Sequence, residues 1–530
     1  KTALALHHKV LPPTINVQKP SSSLNIEESY FYVNTETRPW FLAEDKPSRR
    51  AAVSAFGFGG TNFHIVLEEY ITDNQLNSRL GSVVQPILIS SSTPTELMSS
   101  IEQSLEALKG PDNQQAYQDL INSSKDNLPP NTNPRLGFVT DSISETVKYL
   151  ESALSLMEKN PDSDSWEHPW GITYRKNGKT EKDKVVALFP GQGSQYINMA
   201  GEISINFPPM FKAFETMNDL FIAEGQESLT SVVYPIPGFD DESAEKQQSA
   251  LRETDYAQAA IGVVSFGMYK ILQQAGFQPD FTAGHSFGEL TALWAGGVLN
   301  DDTFLRLVKA RGKAMRPPED SSFDTGTMAA VKGPLEEIQK AIEFVPDIVI
   351  ANENSPSQFV LAGPREVITE VDTLLTNQGF KVTQLPVSAA FHTPLVEHAS
   401  KPFSEAVNQE KFQKPQIPVY SNTTGKKYPE DEKKSKEILS SHILHPVVFK
   451  TQIEEIYKAG GRIFVEIGPR QILGNLVNDI LDGQPHSIIS LNPSRDKSSD
   501  RQLREAAVKL QVIGLQLMDI DPYQRRPIAG

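Results

Sequence analysis

Along the chain, apolar positions change from unbroken runs to every third or fourth residue, and these changes mark out the elements. Unbroken apolar Val185-Val186-Ala187-Leu188-Phe189 predicts a buried strand. Gln85-Pro86-Ile87-Leu88-Ile89-Ser90 and Arg135-Leu136-Gly137-Phe138-Val139 also read as strands, each followed by apolar residues near helical spacing, over 95–108 and 142–157. The repeated order predicts a small α/β domain over residues 71–182 rather than a flexible tether, despite the Ser, Asn, Asp and Pro between its elements. Residues 1–9 predict a helix that Leu11-Pro12-Pro13 stops, and a glycine loop, Gly57-Phe58-Gly59-Gly60, leads into the strand-like Phe63-His64-Ile65-Val66-Leu67. Between residues 327 and 392 the pattern runs strand, helix, strand, strand, helix, strand. Over 302–315, Phe304, Val308, Arg311 and Met315 share one helical stripe, while Arg306, Lys309 and Lys313 fall away from it and predict a solvated face.

Composition limits what such a chain can be. A length of 530 residues predicts about three or four folding units, and 38% apolar with 22% charged residues is the composition of a soluble globular protein. The apolar stretch 281–299 is interrupted by His285 and Glu289, so no run reaches the roughly 18 residues of a membrane helix and no membrane partner is expected. Residues 1–6 are too short an apolar run for a secretion signal, and a first residue other than methionine leads to the expectation of a piece cut from a longer chain. With no cysteine there is no disulfide, no thiolate nucleophile and no cysteine–zinc site, which fits a cytoplasmic protein. A formal charge of −16 argues against a nucleic-acid partner, and an anionic substrate would need a local cluster of positive charge.

The candidate chemistry centres on Gly284-His285-Ser286-Phe287-Gly288-Glu289, between a strand-like and a helix-like run. A serine flanked by glycines in this way suits a nucleophile elbow, because Gly284 and Gly288 lack the Cβ that would collide at a sharp strand-to-helix turn. Ser286 would then stand at a helix N-terminus, where free N–H groups favour a developing oxyanion. An ordinary turn remains the alternative. Pro190-Gly191-Gln192-Gly193-Ser194-Gln195 follows the strand at 185–189, where parallel α/β sheets hold ligands, although on its own it reads first as a simple strand-to-helix turn; without the third glycine of a dinucleotide fingerprint, NAD is not expected. Gly178-Lys179-Thr180 fails as a phosphate loop, since the spacing needs glycine where Thr173 stands. His64, inside an apolar strand, reads as a hydrogen-bonded core residue. Arg311 on its apolar stripe needs an anionic partner, either a substrate carboxylate held bidentately or a buried Asp or Glu. A serine hydroxyl needs a base, and His392 follows the strand-like stretch 382–390, with Pro394 suited to the first turn of a helix. A surface histidine near a turn is the alternative there.

Phe189-Pro190-Gly191-Gln192-Gly193-Ser194-Gln195, Gly284-His285-Ser286-Phe287-Gly288-Glu289, Arg311-Gly312-Lys313-Ala314-Met315 and Ala390-Phe391-His392 occur in the order and spacing of malonyl-CoA:acyl-carrier-protein transacylases. The chain thus resembles the acyltransferase region of type I polyketide and polyunsaturated fatty acid synthases. Leu11-Pro12-Pro13-Thr14, Phe31-Tyr32-Val33-Asn34-Thr35, Arg38-Pro39-Trp40 and the glycine loop resemble the C-terminal piece of a β-ketoacyl synthase, whose catalytic cysteine and histidines lie upstream of the matching part. Asp521-Pro522-Tyr523-Gln524-Arg525-Arg526-Pro527 is similar to the linker that follows the acyltransferase and packs back toward the synthase.

The resemblance implies an α/β fold with a hydrolase-like core and an inserted ferredoxin-like small subdomain at about 325–392. The implied organisation is a synthase remnant at 1–70, an α/β linker domain at 71–182, the acyltransferase at 183–495 and a following linker at 496–530. It implies Ser286 as nucleophile, His392 as base, the N–H groups of Gln192 and Phe287 as oxyanion hole, and Arg311 on a substrate carboxylate. A backbone carbonyl from 468–471 would orient His392. His285, Phe391, Gln258 and Asn354 would lie near the acyl group, although Gln258 and Asn354 could each merely cap a turn. Malonyl-CoA is the implied substrate, an acyl carrier protein bearing phosphopantetheine and the other synthase domains the partners, with no bound cofactor or metal. Malonyl-selective relatives have His-Ala-Phe-His and methylmalonyl-selective ones Tyr-Ala-Ser-His at this place; Phe391 fits the former and Ala389 departs from both. The rival readings are a serine hydrolase or thioesterase using a later histidine (His442, His445 or His486) and a non-catalytic scaffold.

Overall fold

The computed structural model of the chain describes residues 1–26, 29–42, 46–71, 84–125, 128–318, 324–387 and 389–523. Its centre is a sheet of five strands, β1 (Lys184–Phe189), β2 (Phe281–Gly284), β3 (Val419–Tyr420), β4 (Gly461–Pro469) and β5 (Ser487–Asn492), paired in the order β3-β2-β1-β4-β5. Every pairing is parallel. The apolar run of β1 is buried on both faces because helices cover both sides of the sheet. From β1 the chain moves to β2 on one side, and later to β4 on the other, so the strand order reverses between β1 and β4. At such a reversal the loops leaving the strand ends splay apart and leave a crevice.

Three helices position the chemistry: α1 (Thr254–Gln274), α2 (Gly288–Ala295) and α3 (Asp301–Ala314). The start of α3 is fixed by Asn300, whose side chain accepts the Thr303 N–H at 2.8 Å, with Asp301 and Asp302 in the first turn complementing the helix dipole.

The inserted subdomain has the predicted order. Thr327–Lys332, Val349–Ser355, Gln358–Gly363 and Lys381–Gln384 form one antiparallel sheet, with Leu335–Ile342 and Arg365–Asn377 as its helices. Strand alternation divides its duties. Ala329, Val331, Phe359 and Leu361 pack with Ile338, Ile368 and Val371, whereas Met328, Ala330, Gln358 and Val360 line the crevice. The stretch 382–390 is strand only to Gln384.

The predicted α/β domain before the core contains Gln85–Ser90, Arg135–Thr140, Thr173–Arg175 and Ser165–Glu167 in one antiparallel sheet, with helices Pro94–Lys109, Asn113–Lys125 and Ile143–Lys159. A late helix, α4 (Ser499–Ile513), lies between this domain and the core. Its Leu503, Ala506 and Leu510 join the core cluster, while Val508 and Val512 pack on Leu88 and Val139. Gly137 leaves room for that contact: a Cβ there would stand 2.6 Å from both Val508 and Val512.

Before residue 71, Phe41 stacks on Phe211 with ring centroids 4.4 Å apart, and Arg49 meets Glu69 at 2.8 Å. The hairpin Arg50–Phe56 with Asn62–Glu68 stands outward, exposing Phe56, Phe63, Ile65 and Val66. His64 is therefore exposed rather than in a core, and its Nδ1 lies 2.8 Å from Ser54 Oγ. Of the closing stretch, residues 524–527 lie outside the described residues, while Tyr523 donates its hydroxyl to Gln274 at 3.2 Å.

Candidate active site

Ser286 sits between β2 and α2 with φ of 51°, a left-handed conformation that costs a side-chain-bearing residue about 1–3 kcal/mol. The flanking glycines allow the turn by lacking volume. A Cβ on Gly284 would lie 2.0 Å from Gly288, and one on Gly288 would lie 1.9 Å from the Phe189 carbonyl oxygen. Gly191 makes the same close approach from the β1 loop, where a Cβ would stand 2.5 Å from the His285 oxygen. Beneath the turn, buried Glu289 accepts the Tyr428 hydroxyl and the Asn422 N–H, the latter at 2.9 Å, and Asn422 Nδ2 donates to the Gly284 carbonyl at 3.0 Å. Burial raises the Glu289 carboxyl to about 7.

Ser286 Oγ lies 2.7 Å from His392 Nε2. On the other side of the ring, Nδ1 lies 3.1 Å from the His442 carbonyl oxygen and 3.0 Å from that of His445. Two carbonyl acceptors place the imidazole proton on Nδ1, so Nε2 presents its lone pair to the serine hydroxyl. The His392 N–H donates to the Ile443 carbonyl at 3.1 Å. Burial first, then the Arg311 charge, push the imidazole down to about 3, so it rests neutral. The orienting carbonyls thus come from 442–445 and not from the expected 468–471. In the short 3-10 turn at His442–Leu444 the His442 carbonyl also accepts the His445 N–H at 3.3 Å, and Pro446 holds the residue before it extended, at φ −108° and ψ 146°. Gly468 and Pro469 end β4 instead, and Arg470 just after it enters the crevice wall.

Arg311 is wholly buried on α3. One terminal nitrogen donates to Gln258 Oε1 at 2.7 Å, the other lies 2.9 Å from His442 Nε2, and the guanidinium carbon is 5.7 Å from the Phe287 ring centre. Its Nε has no hydrogen-bond partner, and no described carboxylate lies within ion-pair distance. Burial pulls the guanidinium down to about 9, partly offset by the more distant Glu289, so it stays charged near neutrality. Gln258 also donates to Gln192 Oε1 at 3.3 Å, which ties the β1 loop to the arginine.

Lys309 departs from the expected solvated face. It is buried, lies 4.1 Å above the Phe221 ring and bonds Gln226 and Glu224, the latter at 3.3 Å. The end of the helix Pro208–Ile222 and the residues just after it cover this face of α3, while Gly312 lets α1 pack close on another, where a Cβ would be 2.7 Å from Asp255 Cα. Arg306 and Lys313 remain on the exposed side.

A cavity of about 670 Å³ opens above the serine, lined by His285, Ser286, Phe391 and His392, by Gly191 and Gln192, and by Asn354 of the small subdomain. His285 Nε2 and Asn354 Oδ1 lie 2.7 Å apart, joining the serine turn to the subdomain, and burial lowers the His285 imidazole. Gln258, Arg311 and Phe287 are buried outside that lining. The ring of His442 bonds Leu439 and Arg311, and His486 bonds Gln484 and Asn478; neither reaches Ser286.

Residues 186–517 match the family described as acyl transferase domain, and residues 20–139 match a ketoacyl-synthetase C-terminal extension. The chain belongs to the acyl transferase domain family. It is 35% identical, over 99% of its length, to a polyunsaturated fatty acid synthase subunit from Thraustochytrium sp., of which it covers 19%. The acyltransferase thus spans about a fifth of the length of the curated relatives it matches. In fold it is similar to the acyl transferase domain of SpnD, with TM-score 0.69, 20% identity, and coverage of 82% of this chain and 98% of that one. A malonyl-transacylase in complex with its type II polyketide synthase acyl carrier protein is 28% identical, with TM-score 0.53, covering 61% of this chain and 99% of that one.

In this acyltransferase the sequence reading missed two groups of residues. One is the backbone acceptor pair at 442 and 445, marked only by a proline after His445. The other is a set of arginines in the cavity lining, Arg252, Arg470 and Arg495, of which Arg252 pairs with Glu245 at 2.9 Å and Arg495 with Asp496 at 3.5 Å. They are far apart in sequence, so only the three-dimensional fold brings them to one cavity. Among the described residues no group of three or more His, Asp or Glu is arranged to hold a metal ion, and no helix is long and apolar enough to cross a membrane.

Proposed function

We propose that this acyltransferase moves a malonyl group from malonyl-CoA, through an ester on Ser286, to the phosphopantetheine thiol of an acyl carrier protein. The observation that carries the reading is the 2.7 Å contact of Ser286 Oγ with a His392 Nε2 whose ring is held by two carbonyls. In the first half-reaction His392 takes the serine proton as Oγ attacks the thioester carbonyl. The N–H groups of Gln192 and Phe287 stabilise the oxyanion at the helix start. The carbon–sulfur bond then breaks, and the proton on Nε2 passes to the departing CoA sulfur. In the second half-reaction the carrier thiol gives its proton to His392, attacks the ester, and serine recovers its hydrogen. Arg311 supports selection of an acyl group with a free carboxylate, since its buried charge has no carboxylate partner among the described residues. Phe391 beside the base favours malonyl over methylmalonyl by occupying the space an α-methyl needs. The arginines in the cavity lining suit the phosphates of CoA and of the carrier's phosphopantetheine.

The test is mass spectrometry of the chain after incubation with a mixture of acyl-CoAs. A malonyl ester on the peptide containing Ser286 is expected, and it should be absent from Ser286→Ala. A stable malonyl adduct on that variant would overturn the nucleophile, and no adduct on the wild type would favour a scaffold. The hydrolase reading predicts that His392→Ala retains turnover; here it is expected to lose it.

A further inference from the structure

His442 makes two separate sets of contacts. Its ring is fully buried, and Nδ1 lies 2.6 Å from the Leu439 carbonyl oxygen, which makes Nδ1 the donor. Nε2 is then an acceptor, and it faces Arg311, a group with only donors, at 2.9 Å. Burial and the arginine's charge both hold this imidazole well below its ordinary range, in keeping with a neutral ring. Through its backbone the same residue supplies one of the two carbonyls that hold His392 Nδ1.

The contacts join a longer series. Gln192 Oε1 accepts from Gln258, Gln258 Oε1 accepts from Arg311, Arg311 donates to His442, His442 O accepts from His392, and His392 accepts from Ser286. One unbroken line therefore runs from the loop proposed for the oxyanion to the serine, and within it His442 meets Arg311 with its ring and His392 with its backbone carbonyl. A guanidinium held by neutral acceptors on two sides keeps its charge undiminished and its plane fixed, as an incoming carboxylate needs.

We propose that His442 is a positioning residue that aims Arg311 at the acyl carboxylate while its backbone aims His392 at the serine, and so links acyl selection to the catalytic base. The inference rests on the assignment of Arg311 to the substrate carboxylate. The ring and the carbonyl can be separated, because substitution removes only the ring.

The test compares malonyl and acetyl loading on Ser286 in direct competition for the wild type, His442→Phe and His442→Gln, with thermal midpoints recorded alongside. His442→Phe leaves Arg311 without its second acceptor, and the malonyl-to-acetyl ratio is expected to fall about tenfold or more. His442→Gln restores a neutral acceptor and is expected to keep the ratio within about threefold of wild type. A folded Phe variant losing malonyl and acetyl loading equally would overturn the inference. If the Phe variant does not fold, the Gln variant decides: retention of the ratio in a folded protein supports the inference, and its loss overturns it. A wild type without malonyl preference would instead overturn the Arg311 assignment, and this inference with it.

Discussion

A histidine pushed down to about 3 carries no charge change across the neutral range. Its lone pair is available throughout, so the rate of Ser286 loading is expected to stay level between about pH 6 and 8. A pH profile of single-turnover loading checks this, and an inflection near the ordinary imidazole value would contradict it. Arg311 belongs to the same scale. Arg311→Ala removes a wholly buried cation, and malonyl loading is expected to fall by two or more orders of magnitude, about 3 kcal/mol, while acetyl loading falls far less. Equal losses in a competition assay would mark a structural arginine. Phe391→Ser enlarges the cavity beside the base, and the malonyl-to-methylmalonyl loading ratio is expected to drop by a factor corresponding to about 1–3 kcal/mol. A wild type that loads both equally would refute the role given to the ring.

At the scale of elements, legibility followed how far local spacing determined burial. The subdomain between 327 and 392 was readable because its strands alternate while its helices place Ile338, Ile342, Ile368 and Val371 at helical intervals. Helix Asn113–Lys125 was not, since it is polar on most sides and fully buries only Ile121 and Ser124. The short strands Ser165–Glu167 and Thr173–Arg175 are three residues each, too brief for a period to emerge. The serine turn and His392 were legible as motifs, whereas the 442–445 carbonyls were not, because any residue has a carbonyl and only the fold selects these two. Lys309 misled for a related reason: one stripe was visible, and the second buried face arises where Phe221, Glu224 and Gln226 cover α3. Gly137 gives an element-scale expectation. Gly137→Val would drive its side chain into Val508 and Val512, destabilising the chain by about 1–3 kcal/mol through overpacking. Urea unfolding checks this, and an unchanged midpoint would show that α4 can move aside.

For the whole molecule, buried titratable groups set opposing pH trends. His285, His392 and His442 are all held below their ordinary 6.5, so the unfolded chain binds protons that the folded one refuses as pH falls below that value, and folding weakens. Glu289 and Glu466 are raised from 4.5 to about 7, so between those values the folded chain holds protons that the unfolded one releases. Their contribution strengthens as pH falls toward 4.5. The two trends oppose each other from about pH 6.5 to 4.5, and with three imidazoles against two carboxyls stability is expected to fall only gently there, then to decline more steeply in acid as the carboxyl contribution stops changing. Denaturation midpoints measured across this range check it, and a steep decline between 6.5 and 5.5 would show the histidines prevailing. Helix α4 bears on how such molecules can be recombined. Its two faces were shaped by different neighbours, one in the α/β domain before the core and one in the core itself, so it serves both as a shared hinge pin serves two plates. A graft between synthases that cuts anywhere from 85 to 513 would pair a helix from one parent with a surface from the other. The heritable module is therefore the preceding α/β domain, the core and the late helix together, and engineered exchanges should place their seams outside all three.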